Sequence, residues 1–334
     1  MVSNYPEISI IIPLFNEESL VEKILSQLLE GLKNQPFSWE VILVDDGSTD
    51  KSLLVLEKYL KNEGTALAKQ VQVQSYKPNK GRGFALRQGF SQAKGEYVIT
   101  TEFDLSYGVD IIPSLYQTLK ESKADIVIAS PYSKGGKLTN VPLKRAFLSR
   151  MGNKIFKMAF GGRVSTSSGM TRGYKRSSLV KLPLSENGKE IHLEILSKAF
   201  SLDFMVNEIP ATLCWSPERT KMAKKKSFNP VPLIKTHLLF SFFQRPILLI
   251  GSVAIFLLLA GLIMGGYSAA LSISGEKMGS RPLTLVSIML ILFSTQIGCF
   301  LFLAYMIGQL QQAIVQMHSQ IKNDSIKSPK EISS

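Results

Sequence analysis

Two stretches without a single charged residue, 247–270 and 283–307, set the strongest limit on what this chain can fold into. Each exceeds the roughly 20 residues that an α-helix needs to cross a bilayer. Soluble helices of that length seldom lack charge. Both stretches lie late in the 334 residues, so the sequence predicts one amino-terminal domain followed by a transmembrane hairpin. The boundaries read as a domain over 1–218, a basic juxtamembrane and interfacial segment over 219–246, a hairpin over 247–310 and a polar, disordered tail over 311–334. A formal charge of +13 beside 45% hydrophobic residues fits a protein at an anionic membrane face. Charge alone also admits nucleic acid, but the placement of the apolar residues makes the bilayer the expected partner and nucleic acid an unexpected one.

Arg219 to Lys226 packs five basic residues into eight positions, ahead of an amphipathic stretch from Leu233 to Phe243. Positive residues flanking spans stay on the cytoplasmic side. That rule puts this cluster, the Lys322 to Lys330 tail, the amino-terminal domain and both termini in the cytoplasm. The two cysteines are Cys214 and Cys299, the second inside a predicted span, which excludes a disulfide framework and a Cys-type zinc site. No charged-then-apolar leader opens the chain, since Ile8 to Pro13 reads as a strand.

From Ile8 to Ala129, β-rich runs alternate with helical patterns, the signature of parallel strands joined by crossover helices. Strands are expected at Ile8 to Ile12, Glu40 to Val44, Val71 to Ser75, Tyr97 to Thr101 and Ile126 to Ala129. Helices are expected at Glu18 to Leu32, Lys51 to Leu60 and Arg82 to Ala93, with Ser48, Thr49 or Asp50 capping the second. The fold class is therefore α/β, a doubly wound, mostly parallel sheet, and its ligands should gather beyond the carboxyl ends of the strands. Phe15, Asn16, Asp45, Asp46, Glu102 and Asp104 all fall there. Further on, a Gly, Lys and Ser loop from Ser133 to Asn140 is expected to move over the site, followed by an amphipathic basic helix from Leu143 to Phe160.

Several blocks carry chemistry. Val44 to Asp50 ends the second strand with Asp45 and Asp46, whose carboxylates can accept hydrogen bonds from a base N–H and from ribose hydroxyls. Taken alone, Asp-Gly-Ser is a turn and Ser-Thr-Asp a helix cap. Asn79 to Arg87 is a Gly-rich helix entry containing Gly81 and Arg87, where free N–H groups and cations could meet a diphosphate. It has neither Walker nor dinucleotide spacing. Thr101-Glu102-Phe103-Asp104 brings two acids to one strand end, suited to Mg²⁺ or Mn²⁺ or else a solvated surface pair. The block Glu190 to Glu194, with His192, reads either as part of the crevice wall or as a surface helix with a charged face. Gly261, Gly265 and Gly266 give the first span a close-packing face for the second span or for a second copy in a homo-oligomer.

Together, Pro13 to Glu17, Val44 to Asp50, Asn79 to Gly89, Gly95 to Tyr97, Glu102 to Ser106, Ser168 to Arg176 and Gly188 to Glu194 resemble, in order, the family 2 glycosyltransferases of the GT-A fold. The likeness is specifically to the polyisoprenyl-phosphate glycosyltransferases, dolichyl-phosphate mannose synthases among them. The resemblance implies a nucleotide-sugar donor and a polyisoprenyl phosphate acceptor. It implies that Pro13, Glu17 and Asp46 contact the nucleoside, that Glu102 and Asp104 are catalytic and hold the metal, and that Arg145 and Ser149 meet the lipid phosphate. Arg219 and Lys221 to Lys226 are either further phosphate contacts or purely topogenic charge. Two positions depart from the family pattern. Glu102 stands where Asp is usual, and Pro131 where an arginine is common, a loss that Lys134, Lys137, Lys144 and Arg145 could offset. The absence of a Gln-x-x-Arg-Trp block favours transfer of a single sugar. A GT-A-like membrane scaffold without turnover, and a transferase with a soluble acceptor, are the competing readings.

Overall fold

The structure is a computed structural model that describes residues 5–63, 67–159, 162–216, 246–274 and 282–327. The chain divides into two compact units, residues 1–233 with 315–334, and residues 234–314.

In the first unit, β1 (Ile8–Leu14), β2 (Trp39–Asp45), β3 (Val71–Ser75), β4 (Tyr97–Thr100) and β5 (Ile126–Ser130) are the five strands expected. Every residue of β1 and β2 is buried, as in a parallel sheet covered on both faces. β1 pairs in parallel with β2 and β4, and β2 with β3. Helix α1 (Val21–Lys33) buries Val21, Ile24, Leu25, Leu28, Leu29 and Leu32, the i, i+3, i+4 stripe that seats a helix on a sheet. Helix α2 (Ser52–Glu63) starts at Asp50, whose carboxylate accepts the Ser52 N–H at 2.9 Å, so Asp50 is the one of the three candidate caps that binds there. Helices α3 (Arg82–Gln92) and α4 (Ile111–Glu121) complete the crossovers.

The sheet has seven strands in the order β3-β2-β1-β4-β7-β5-β8. β7 (Arg172–Lys175) runs antiparallel between β4 and β5, and β8 (Val206–Pro210) runs parallel to β5. Neither shows an apolar run, because Arg, Gly and Lys fill β7 and Asn, Glu and Pro fill β8. Gly173 faces α4, where a Cβ would lie 2.6 Å from Leu119 Cδ1. A separate parallel pair joins β6 (Lys137–Thr139) to β9 (Thr212–Cys214). The Lys-Gly loop expected over 133–140 therefore contains a strand. Helix α5 (Leu143–Ala159) follows, close to its expected bounds, then a short α6 (Arg176–Leu179) and α7 (Ile191–Ser201).

Arg172 is fully buried, and among the described residues no carboxylate hydrogen-bonds its guanidinium. Its guanidinium donates instead to the carbonyls of Gly169 (2.7 Å), Ser167 (2.6 Å) and His192 (3.1 Å), fastening the 167–170 loop to α7. His192 is buried with both ring nitrogens unpartnered. The surface-helix alternative for its block is thereby corrected, since Ile191 through Ser197 are all buried. Burial, reinforced by Arg172 and Arg82, holds the imidazole well below the usual histidine range.

The second unit contains the apolar helix α8 (Pro246–Ile273) and α9 (Pro282–Lys327) as far as residue 314. Their apolar spans, Ile250–Ile273 and Pro282–Gln311, are long enough to cross a membrane. Small residues line the seam. A Cβ on Gly261 would lie 2.8 Å from Ile291 Cγ1, and Gly265 sits beside Ser287. The Ser294 hydroxyl donates to the Ala254 carbonyl at 2.8 Å, and the Ser268 and Thr284 hydroxyls are 2.7 Å apart. Gly266 has nothing within 4 Å of its Cβ position, so it is not part of this seam. The tail expected to be disordered continues α9 as helix to Lys327; its Gln, Ala, Met and Lys residues are good helix formers. The basic cluster with Arg219 and the amphipathic stretch 233–243 lie outside the described residues.

Two outcomes follow. In a chain lacking its native cysteines, cysteines at positions 268 and 284 should join on mild oxidation in membranes, read by mass spectrometry, while a 266/284 pair stays open. Because the His192 imidazole titrates lower folded than unfolded, the unfolded chain binds more protons below about pH 6.5. Melting should therefore fall as pH drops from 7.5 to 5, and His192→Phe should flatten that slope.

Candidate active site

Parallel register brings Leu14 beside Asp45 and Asp45 beside Ser75, so three strands end at one rim. The two loops beyond β1 and β2 are laced together. Asn16 takes a left-handed backbone (φ 55°), which asparagine tolerates, and its Oδ1 accepts the Thr49 N–H at 2.8 Å. The Asn16 N–H donates to Ser48 Oγ at 3.0 Å, and that of Glu17 to Ser52 Oγ at 2.7 Å. Phe15, between these ties and the strand, is 42% exposed.

Asp45 is 0% exposed, and its carboxylate accepts from the Ser48 N–H (3.0 Å) and the Ser75 hydroxyl (2.9 Å). It braces the rim from behind. Asp46 gathers the loop after β3. Its carboxylate accepts from the Tyr76 hydroxyl (2.8 Å), Asn79 Nδ2 (2.9 Å) and the N–H groups of Lys80 (2.9 Å) and Gly81 (3.1 Å). Burial, together with this bond to Asp46, pushes the Tyr76 phenol far up. Gly47 allows the approach, because its φ is 71° and a Cβ would lie 2.6 Å from the Asn79 nitrogen.

The expectation that α3 offers free N–H groups to a diphosphate is corrected at three positions. Gly81 N–H is bound to Asp46, while Gly83 and Phe84 both donate to the Asn187 carbonyl, at 2.6 and 3.3 Å. The 184–188 loop thus covers the helix start. Gly81 fits there with φ 96°, where a Cβ would lie 2.6 Å from the Asn187 oxygen. Arg87 serves the same contact, donating to Asn187 Oδ1 and to the Leu184 carbonyl (3.4 Å). Glu194 anchors the loop from α7 by accepting the N–H groups of Ser185 (2.9 Å) and Glu186 (3.0 Å) and the Lys198 ammonium (2.6 Å). Burial raises the pKa of Glu194, but these donors outweigh it and hold the carboxyl below its usual range. Among the described residues the cation that lines the crevice is Arg82, the first residue of α3.

Beyond β4 the chain turns tightly through Glu102, Phe103, Asp104, Leu105 and Ser106. Leu105 takes φ 45° and donates its N–H to the Glu102 carbonyl at 3.1 Å. A left-handed leucine costs on the order of 1 kcal/mol, a strain typical of functional turns. The turn aims both acids at one hydroxyl. Ser106 Oγ donates to Glu102 Oε2 at 3.1 Å and to Asp104 Oδ1, and the Ser106 N–H reaches the same Asp104 oxygen at 3.1 Å. The Ser106 carbonyl accepts the Cys214 N–H at 2.8 Å, joining this turn to β9.

A crevice of about 490 Å³ opens here, lined by Pro13, Phe15, Asn16, Glu17, Asp46, Arg82, Glu102, Asp104, Met170 and Ser216 among others. Seven of the residues anticipated from the sequence thus meet in one cavity; Arg82, Met170 and Ser216 join them. A second crevice of about 470 Å³ shares Asp104 and Ser216 and is bordered by Leu20, Ile24, Tyr107 and Trp215. On α5, Arg145 stacks over the Trp215 ring at 5.4 Å, and Ser149 is hydrogen-bonded to Tyr132, whose phenol is pushed up by burial against that bond. Arg219 lies outside the described residues.

Among the described residues no three His, Cys, Asp or Glu side chains cluster as a closed metal cage. Two carboxylates and a hydroxyl still suit Mg²⁺ or Mn²⁺, hard ions that commonly take one or two carboxylates and fill the remaining positions with phosphate and water oxygens.

Residues 9–182, just over half of the chain, match the family described as Glycosyl transferase family 2. A dodecaprenyl-phosphate galacturonate synthase of Rhizobium johnstonii is 34% identical over 122 residues, 36% of this chain and 35% of its own length. A dolichol-phosphate mannosyltransferase of Pyrococcus furiosus is 31% identical over 144 residues, 43% of this chain and 38% of its own. An undecaprenyl-phosphate 4-deoxy-4-formamido-L-arabinose transferase of Shewanella sediminis is 26% identical over 198 residues, 59% of this chain and 56% of its own. The chain therefore spans between about a third and just over half of the length of these relatives. Among solved structures, glucosyl-3-phosphoglycerate synthase from Mycobacterium tuberculosis in complex with UDP superposes with a TM-score of 0.50 at 18% identity, covering 71% of this chain and 80% of that one. The same enzyme with Mg²⁺ and UDP also gives 0.50, at 16% identity over 71% and 79% of the two chains, a likeness of fold. The chain belongs to glycosyl transferase family 2 and carries its GT-A fold.

Proposed function

We propose that this protein transfers a single sugar, with inversion, from a UDP- or GDP-hexose to a polyisoprenyl phosphate, giving a lipid-linked sugar. The observation that carries this reading is the convergence of Glu102 and Asp104 on Ser106 in a crevice that also holds Arg82 and the ends of β1 and β2. The kinship with polyprenyl-phosphate transferases and the two apolar helices support the lipid acceptor.

In this reading Pro13, Phe15, Asn16, Glu17 and Asp46 border the nucleoside, while Asp45, Gly81 and Arg87 keep that border in shape from behind. Glu102 and Asp104 would hold a Mg²⁺ or Mn²⁺ ion, which when bound neutralises charge on the diphosphate. Arg82 adds fixed positive charge on the same side. Arg145 and Ser149, with Arg219, meet the acceptor phosphate. A phosphate monoester has its second pKa near 6, so the acceptor is largely dianionic at neutral pH and its oxygen needs no strong general base. That oxygen forms a bond to the anomeric carbon as the bond from that carbon to the donor diphosphate breaks, and the nucleoside diphosphate leaves with the electron pair. One displacement inverts the centre. The neutral, buried His192 is not called upon. The catalytic unit and both termini are assigned to the cytoplasmic side on the positive-inside pattern.

Purified full-length protein in detergent with Mn²⁺, polyprenyl phosphate and a panel of nucleotide-sugars should release nucleoside diphosphate and form lipid-linked sugar. Glu102→Gln and Asp104→Asn should each slow turnover on the order of 100-fold. Ser106→Ala should slow it about 10-fold, as expected for a group that orients ligands. No release from any common nucleotide-sugar would overturn the enzyme reading, and full activity after deletion beyond residue 243 would overturn the lipid acceptor.

A further inference from the structure

The two acids that end β2 are not equivalent. Asp45 is 0% exposed and spends one oxygen on the Ser48 N–H and the other on the Ser75 hydroxyl, which keeps it behind the rim. Asp46 lines the crevice, and its two carboxylate oxygens are loaded unevenly. Oδ1 accepts from the Tyr76 hydroxyl and from the N–H groups of Lys80 and Gly81, three donors on an oxygen with two lone pairs. Oδ2 accepts from Asn79 Nδ2 at 2.9 Å and, among the described residues, from no other donor. Two of the donors on Oδ1 belong to the main chain, so no side-chain rotation in the 76–81 loop releases that oxygen. Asp46 can therefore accept one further N–H and not a fork of two. The nearby Asn16 Oδ1 is committed as well, to the N–H groups of Thr49 (2.8 Å) and Asp50 (3.4 Å).

The bases differ in what they bring to such a site. On its Watson–Crick edge uracil offers one N–H, at N3. Guanine offers two side by side, at N1 and N2, which match a carboxylate only when both of its oxygens are open. Cytosine presents a lone pair at N3 in place of the N–H. We propose that the donor is a uridine diphosphate-sugar, and that Asp46 selects its base because the 76–81 loop closes Oδ1 and leaves Oδ2 alone to accept the uracil N3–H. The inference rests on the reading of Asp46 as a nucleoside contact and adds the identity of the base. Phe15, 42% exposed in the same crevice, offers a face on which the base can stack, a contact blind to identity because every base has a π-face.

The test measures binding of UDP, CDP and GDP to the full-length protein in detergent with Mn²⁺ by isothermal titration calorimetry. A buried polar group left unpaired lowers affinity by about 10-fold or more, so UDP should bind at least about 10-fold more tightly than CDP or GDP. Asp46→Asn turns an N–H toward the base where Oδ2 stood, so UDP should weaken about 10-fold while CDP holds or tightens, reversing their order. Phe15→Ala should weaken all three nucleotides to a similar extent. GDP or CDP binding as tightly as UDP to the unaltered protein would overturn the proposal, a result that needs no variant to fold. Equal weakening of UDP and CDP by Asp46→Asn would also overturn it, since Asp46 would then only shape the loop. A preference for GDP would leave the transferase reading standing, whereas selective UDP binding without turnover would remove that reading and keep the base assignment. Binding of none of the three would overturn both.

Discussion

Everything at the crevice depends on the parallel pairing of β1 with β2 and β4. Because the three strands run the same way, in fixed register, their carboxyl ends open on one rim, and whatever follows them in sequence becomes neighbours in space. The register matters more than the strands themselves. A slip of one residue would turn the fully buried apolar faces of β1 and β2 the wrong way round and carry the Asn16, Asp46 and Glu102 turns apart.

On that rim the polar side chains fall into two groups. Asn16, Asp45, Ser48, Ser52 and Asp46 bond mostly to neighbouring loops, making a rigid floor from segments with no regular structure of their own. Glu102 and Asp104, by contrast, are drawn together by one hydroxyl on a strained turn. Arg82 lines the same crevice and adds a positive charge to its wall.

Much of this was legible in the sequence. The first five strands announce themselves as β-rich runs ending in turn residues, and the acids at their ends could be placed on the rim without coordinates. What escaped has a physical reason in each case. β7 carries Arg172, Gly173 and Lys175, whose suitability depends on a buried carbonyl cage and on close packing by Leu119. Arg82 rather than Arg87 lines the crevice, because the 184–188 loop, which Arg87 binds, folds over the helix start from about a hundred residues away. No local pattern foretells that. The surface-helix reading of the His192 block failed because Ile191 through Ser197 are buried by packing that no local pattern reveals. The helix beyond residue 310 was hidden by its polarity, although its residues favour helix.

Two apolar helices are long enough to cross a membrane, yet the account stands or falls at the acidic turn. The most direct measurement is a cryo-EM map of the full-length protein in a lipid nanodisc with Mn²⁺ and the nucleoside diphosphate of its preferred donor. The account predicts density for the ion between Glu102 and Asp104, with the diphosphate running from there toward Arg82. A nucleotide bound at any other place, or one bound in the crevice with both carboxylates turned away from it, would contradict it.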